Sequence, residues 1–263
     1  MSFYGVDFIF DGQFSPAYGL KILSTDDSIE EESSGGSDVE IFYDIAYRNP
    51  TRFQYGVSQN KVLTFQLSVM SESPITAINR SKIEKWLFGR MSPCKLQIIQ
   101  PDLQSVYFNC YLLEPNVTYI GNVAYGFTFT VECDAPWAWQ LPKTYTKADF
   151  SEVWRFYNDS DNTDYTHPYV RLKMKDSLIG DGSISIINQT DNNRTTSFSG
   201  LHAGEELTID CSSQIIISSE RRLISEFFNK KFFRLVPGVN NIQVDGELEY
   251  LKITYSNARK VGG

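Results

Sequence analysis

Few residues of this chain have the type and spacing that catalysis or metal binding needs. It holds two histidines, His167 and His202, and neither has a second His or a Cys at ligand spacing, so a His-based metal centre or a Ser/His/Asp triad lacks its parts. His167 precedes Pro168, and His202 sits in Leu201-His202-Ala203-Gly204; both read as surface groups in turns. The acidic run NDSDNTD, Asn158 to Asp164, alternates Asp159, Asp161 and Thr163 as a calcium loop does. It has no Gly at the sixth position and no Glu at the twelfth, and it reads as a solvated turn. There is no GxGxxG after an expected strand, no P-loop and no GxSxG elbow. A carboxylate pair for glycoside hydrolysis is recognised only by its separation in space, and nothing singles one out. An enzyme is therefore the minority expectation, and no cofactor or metal is expected.

Four cysteines, Cys94, Cys110, Cys133 and Cys211, are widely spaced in a chain long enough to fold without staples, and they read as free thiols. Cys110 shares parity with Phe108 and Leu112, and Cys133 with Phe129 and Val131, so both are expected to be buried as small hydrophobes. A nearby pair has the option of a disulfide outside a reducing cell, which the sequence leaves open. Asn116-Val117-Thr118 and Asn188-Gln189-Thr190 fit the glycosylation pattern, but the acidic opening MSFYGVDFIFDG is no signal peptide, and synthesis in the cytosol is expected.

The elements that must carry these residues are mostly strands. Leu63, Phe65, Leu67 and Val69 alternate with polar residues, as do Phe108, Cys110 and Leu112, and then Phe127, Phe129, Val131 and Cys133. Asn60, Pro115-Asn116 and Gly121-Asn122 supply turn chemistry between them, and the intervening segments lack repeated helical periods, which points to an antiparallel sheet. One helix is expected, at about residues 80–88, with Ile83, Trp86 and Leu87 on one face, Asn79 as its cap, and Gly89 as a left-handed residue at its end beside Arg90. IEEESSGGSD, Ile29 to Asp38, reads as a mobile loop. Two aromatic-rich runs then flank Asn49-Pro50-Thr51, a hairpin that either folds on its own sheet or pairs with another chain.

The run CDAPWAWQLPKTY, Cys133 to Tyr145, marks a boundary. Residues 1–137 are expected as one β domain, 138–148 as a linker and 149–263 as a second. Short alternating runs beyond the boundary, separated by turns such as Gly180-Asp181-Gly182 and Asp191-Asn192-Asn193, describe a β-sandwich with one helical patch around Arg222 to Phe228. At 41% hydrophobic and 14% aromatic residues, two such cores can be filled. A net charge of −8 argues against a protein that wraps nucleic acid, with Arg221-Arg222 and Lys230-Lys231 expected to be solvated, and no apolar run is long enough to span a bilayer.

Taken in order, these pieces resemble the distal tail protein family of long-tailed siphophages. The resemblance rests on FIFDGQFSPAYGL (Phe8 to Leu20), the helix RSKIEKWLFG, the strand end FTVECDAPWAW, and then Asn158, Pro168, Gly204 to Asp210 and Leu235 to Asn240. Asp159 stands where that family has a Gly, and the Glu30 to Asp38 loop is unusually acidic. The resemblance implies a mainly β protein: an N-terminal β domain with one helix and a protruding hairpin, then a galectin-like sandwich. It implies a hexameric ring at the tail tip of the virion, assembled in the bacterial cytoplasm. That ring would join the tail tube protein to the tail-tip hub protein, with receptor-binding proteins as further partners, and leave a channel through which DNA passes unbound. Ile41, Phe42, Tyr43, Tyr47, Phe53 and Tyr55 are the expected subunit contacts, and Trp86 and Trp137 the expected packing anchors. The rival expectations are a carbohydrate-binding adhesin using Trp154, Tyr157 and Tyr165, and a polysaccharide-cleaving enzyme.

Overall fold

The computed structural model describes residues 6–23, 39–44, 53–59, 62–103 and 105–261. The chain divides into two compact units, Met1–Gln140 with Arg259–Gly263, and Leu141–Ala258.

The first unit contains β1 (Asp7–Phe10), β2 (Gln13–Phe14), β3 (Leu20–Ile22), β4 (Val39–Asp44), β5 (Phe53–Gln59), β6 (Thr64–Ser71), helix α1 (Ala77–Phe88), β7 (Cys94–Ile99), β8 (Val106–Ile120), β9 (Val123–Cys133) and β10 (Ala138–Gln140). An antiparallel sheet runs β2-β1-β7-β8-β9-β6-β3, with β10 beside β8. Alternation places Phe8, Phe10, Leu67, Val69, Leu96, Ile98, Phe108, Phe127 and Phe129 on one buried face, and α1 covers that face with Ile83, Trp86 and Leu87. Ser68 and Thr128, cross-strand partners of opposite parity, share a hydroxyl hydrogen bond of 3.0 Å.

Where β6 meets β9, Gly126 lies opposite Met70. A Cβ there would stand 2.2 Å from the Val69 carbonyl oxygen, a backbone atom with no room to retreat. Gly126→Ala is therefore expected to destabilise the unit by about 1–3 kcal/mol, as overpacking does, read as a lower urea midpoint.

Several boundaries depart from the sequence expectation. The helix starts three residues earlier, at Ala77, because Thr76 caps it by accepting the Asn79 N–H at 3.3 Å; Asn79 is inside the first turn. Gly89 has φ −84, so it is not left-handed; a Cβ there would meet the Lys85 carbonyl oxygen at 2.6 Å. Arg90 pairs with Asp11 at 2.6 Å. Pro115 does not end a strand: β8 continues to Ile120 through a register shift between Leu113 and Asn116, where a residue without an N–H is tolerated. The turn is Gly121-Asn122, with Gly121 at φ +63.

The second unit contains β11 (Lys143–Lys147), β12 (Trp154–Asn158), β13 (Tyr169–Met174), β14 (Gly182–Asn188), β15 (Arg194–Leu201), β16 (Glu206–Asp210), β17 (Ile215–Ser218), β18 (Gly238–Gly246) and β19 (Leu248–Tyr255). They form two antiparallel sheets, β11-β19-β13-β16-β17 and β12-β18-β14-β15, whose inward side chains share one core. Val170, Leu172, Leu207 and Ile253 come from the first sheet, Ile184, Ile186, Phe198 and Ile242 from the second. The protein is thus mainly β, with one α-helix among the described residues. Residues 138–148, expected as a linker, contribute β10 to one unit and β11, paired along β19, to the other. A last strand, β20 (Ala258–Arg259), pairs with β10.

The helical patch expected at Arg222 to Phe228 is absent, although Ile224 and Phe228 are buried as a helix face would bury them. The segment instead lies against the edge of β15: Ser199 N–H donates to the Phe227 carbonyl at 2.9 Å and Asn229 N–H to that of Ser197 at 3.1 Å. Tertiary pairing overrides the local period. The loop that follows is held by buried amides. Asn188 Nδ2 donates to Asn240 Oδ1 at 2.9 Å, and Asn240 Nδ2 donates to the carbonyls of Val236 and Gly238.

Candidate functional site

Five features compete to be the functional site: a ribbon, two tryptophan clusters, a His/Glu cluster and the aromatic residues of the second unit. β4 and β5 form a two-stranded antiparallel ribbon, Val39 opposite Gln59 through Asp44 opposite Phe53. The register shifts between Phe42, opposite Gly56, and Tyr43, opposite Gln54, so Tyr55 is the extra residue of a bulge. Among the described residues these strands pair with each other and with no other strand, which leaves both outer backbone edges of the ribbon open. Ile41, Phe42 and Tyr43 are on β4 and Phe53 and Tyr55 on β5; Tyr47 lies outside the described residues.

Trp86 is buried, its ring stacked on Tyr18 at 4.1 Å and Phe8 at 5.7 Å, and its indole N–H donates to the Phe10 carbonyl at 3.0 Å. Trp137 is half-buried, edge-on to Trp139 at 5.8 Å, and its buried indole N–H has no partner among the described residues. Beyond the β8 bulge the β8–β9 hairpin carries exposed Tyr119, Ile120 and Val123, with the Tyr119 hydroxyl accepting from Arg80 at 3.0 Å. A cleft of about 350 Å³ opens beside Tyr18, Ser71, Asn79 and Lys82, without a cluster of acids or bases.

Sequence spacing missed one polar cluster, in the second unit. His202 Nδ1 is 2.6 Å from Glu220 Oε2, and both lie beside Glu205 within reach of a shared ion. Glu205 is already engaged: its side chain is fully buried, accepts from Arg222 Nε at 3.0 Å and Ser218 Oγ at 2.6 Å, pairs with Arg222 Nη2, and accepts the His202 N–H. A cation there would face the guanidinium, so the arrangement is an internal ion pair and not a metal site. Arg222 is thereby not the solvated charge expected of it, whereas Arg221, Lys230 and Lys231 are exposed. The Asn158 to Asp164 turn is closed internally, Asn162 N–H donating to Ser160 Oγ and Asp164 N–H to Asn162 Oδ1.

The aromatic residues named for a sugar site are mostly spent on packing. Trp154 is half-buried, edge-on to Phe156 at 5.4 Å, and Tyr165 lies under the Arg234 guanidinium at 3.5 Å; Tyr157 alone of the three is well exposed. The described residues thus present two buried cores, a two-stranded ribbon and an apolar hairpin tip, and among them no nucleophile and base are aligned for turnover.

Residues 3–135 match the family described as "Phage tail protein N-terminal domain", and residues 137–255 that described as "Phage tail C-terminal domain". The chain belongs to this phage tail protein family. Among solved structures it is similar to the SPP1 Dit (gp 19.1) protein, described as a paradigm of the hub adsorption apparatus in Gram-positive-infecting phages. The TM-score is 0.64 and the identity 11%, over 96% of this chain and 98% of that one. It is also similar to a chain of the phage P2 baseplate in its activated conformation with Ca, with TM-score 0.54 and 8% identity over 92% and 91%. A search of the curated proteins finds no match.

Proposed function

We propose that this chain is a structural hub at the tip of a long phage tail. Six N-terminal units form a ring that joins the tail tube to the tail-tip hub protein and leaves a channel for DNA. The observation that carries the proposal is the likeness to the SPP1 Dit hub over nearly the whole of both chains. The β4–β5 ribbon supplies the joint, since two open strand edges can extend a neighbour's sheet. Ile41, Phe42, Tyr43, Tyr47, Phe53 and Tyr55 are the contact residues, and Trp86 and Trp137 anchor the cores behind them. The second units project outward, toward receptor-binding proteins. A net charge of −8 suits a conduit, because repulsion keeps passing phosphates from sticking.

Size-exclusion chromatography with light scattering on the full chain, alone and with its tail tube and hub proteins, tests this. A hexamer, visible as a ring in electron micrographs, is expected, and a Phe42→Ser/Tyr55→Ser variant is expected to shift it toward monomer. A chain that stays monomeric at high concentration, even beside those partners, is not a ring component.

A further inference from the structure

Three of the four cysteines form a row that the assembly role leaves unused. Cys94 on β7, Cys110 on β8 and Cys133 on β9 are direct cross-strand partners, Cys94 opposite Cys110 and Cys110 opposite Cys133. All three turn to the core side of the sheet as free thiols, Cys110 and Cys133 buried and Cys94 partly exposed.

The two pairs differ in kind. Asp134 N–H donates to the Asn109 carbonyl at 2.9 Å, while Cys133 N–H points away from β8 and donates to the Leu63 carbonyl at 2.9 Å. Backbone bonds between β8 and β9 thus flank Cys110 and Cys133 without joining them. In such a non-hydrogen-bonded pair the Cα atoms approach to about 4.5 Å and the side chains are closest. Amide direction alternates along a strand, so Cys110 turns its own N–H and C=O toward β7. Cys94 and Cys110 are then a hydrogen-bonded pair, with Cα atoms about 5.5 Å apart and side chains more widely separated. A disulfide wants Cβ atoms about 3.8 Å apart, which the first kind of pair meets with less movement.

We propose that Cys110 and Cys133 close a cross-strand disulfide when the protein meets a disulfide oxidant such as oxidised glutathione, and that Cys94 is the thiol through which the oxidant enters. The Cys94 thiolate attacks one sulfur of the oxidant, expelling one glutathione and forming a mixed disulfide. Cys110 attacks the Cys94 sulfur and expels the second glutathione. Cys133 then attacks the Cys110 sulfur, and the electron pair of the breaking bond returns Cys94 to a thiolate. In the balance two protein thiols are oxidised and one oxidised glutathione becomes two thiols, which take up the two protons.

Access orders the steps. Burial pushes the Cys133 thiol up to about 12, and burial with the neighbouring Cys133 and Cys94 pushes Cys110 up as well. Burial raises the Cys94 thiol too, but Cys94 is partly exposed where the other two are buried, so it meets the oxidant first. The bond closes a loop of about 24 residues, the size at which a cross-link restrains the unfolded chain appreciably. It also clamps the base of the hairpin whose tip exposes Tyr119, Ile120 and Val123.

The test is timed incubation of the reduced full-length chain with oxidised glutathione, acid quench and non-reducing peptide mass spectrometry. The expected product is a Cys110–Cys133 cross-link with Cys94 and Cys211 free, and a raised melting temperature that a phosphine reductant reverses. Cys94→Ser is expected to reach the same product about tenfold more slowly, and Cys133→Ser to stop at Cys94–Cys110. Glutathione retained on Cys94, Cys94–Cys110 as the final product of the unsubstituted chain, or four thiols left unreacted would overturn the staple. Equal rates with and without Cys94 would overturn its entry role. The deciding product is read on the unsubstituted chain, so a Cys133→Ser variant that does not fold leaves the test intact.

Discussion

Trp86→Ala is expected to lower the stability of the N-terminal unit by about 3–5 kcal/mol, the cost of deleting a large buried aromatic side chain. Trp86 is only 2% exposed and lies against Phe8, Phe10 and Tyr18, from the start of the chain, while belonging to the helix. Its loss opens a cavity between α1 and β1 and removes the N–H that the Phe10 carbonyl accepts. Against a total of about 5–15 kcal/mol, that is enough to populate a locally open state. Hydrogen exchange followed by mass spectrometry checks it: protection is expected to fall in β1 and α1. Trp86→Phe keeps a ring in the stack and forfeits the hydrogen bond, and it is expected to cost about 1–2 kcal/mol beyond any packing loss. Equal protection in Trp86→Ala and the unsubstituted chain would show that the stack does not hold the helix to the sheet.

The fold was legible where one physical signal dominated. Period-two alternation from Leu63 to Val69 and from Phe127 to Cys133 is the direct consequence of a sheet buried on one face, and those strands lie where the alternation puts them. Misreadings came where a tertiary partner decided the outcome. Pro115 reads as a stop in isolation, but the long pairing of β8 with β9 absorbs it in a bulge. Ile224, Phe227 and Phe228 have helical spacing, yet the open edge of β15 offers backbone partners that a short helix cannot match. Glu205 and Arg222 stand far apart in a run of ordinary charges, and only the sandwich brings them together. The ribbon is the opposite case. Its aromatic residues and the Asn49-Pro50-Thr51 run announce a hairpin, and β4 and β5 do pair, while nothing in the sequence says that, among the described residues, no further strand joins them.

The Glu205–Arg222 pair carries the second large effect, and its size changes with pH. Arg222→Ala leaves a fully buried carboxylate with Ser218 and the His202 amide as its remaining donors, and breaking a buried pair from one side costs about 3–5 kcal/mol. In the intact protein burial opposes the charge on Glu205, but hydrogen bonds from Arg222, Ser218 and the His202 N–H outweigh it and hold the carboxyl below its ordinary range. A group depressed on folding stabilises the protein above its unfolded pKa, and that contribution is lost as the pH falls through the folded value. Without Arg222 the balance tips toward burial, which favours the protonated acid. The deficit of Arg222→Ala is therefore expected to be greatest near neutrality and to shrink as the solution is acidified past the ordinary Glu range, because the variant loses less than the parent. Urea unfolding of both chains at neutral and mildly acidic pH measures this, and a deficit that is constant or grows on acidification would mean that Glu205 is not the group left unpaired. Glu205→Leu/Arg222→Met removes both charges and their desolvation cost together. It is expected to lie nearer the parent than either single variant, since the penalty in the singles is the partner left behind.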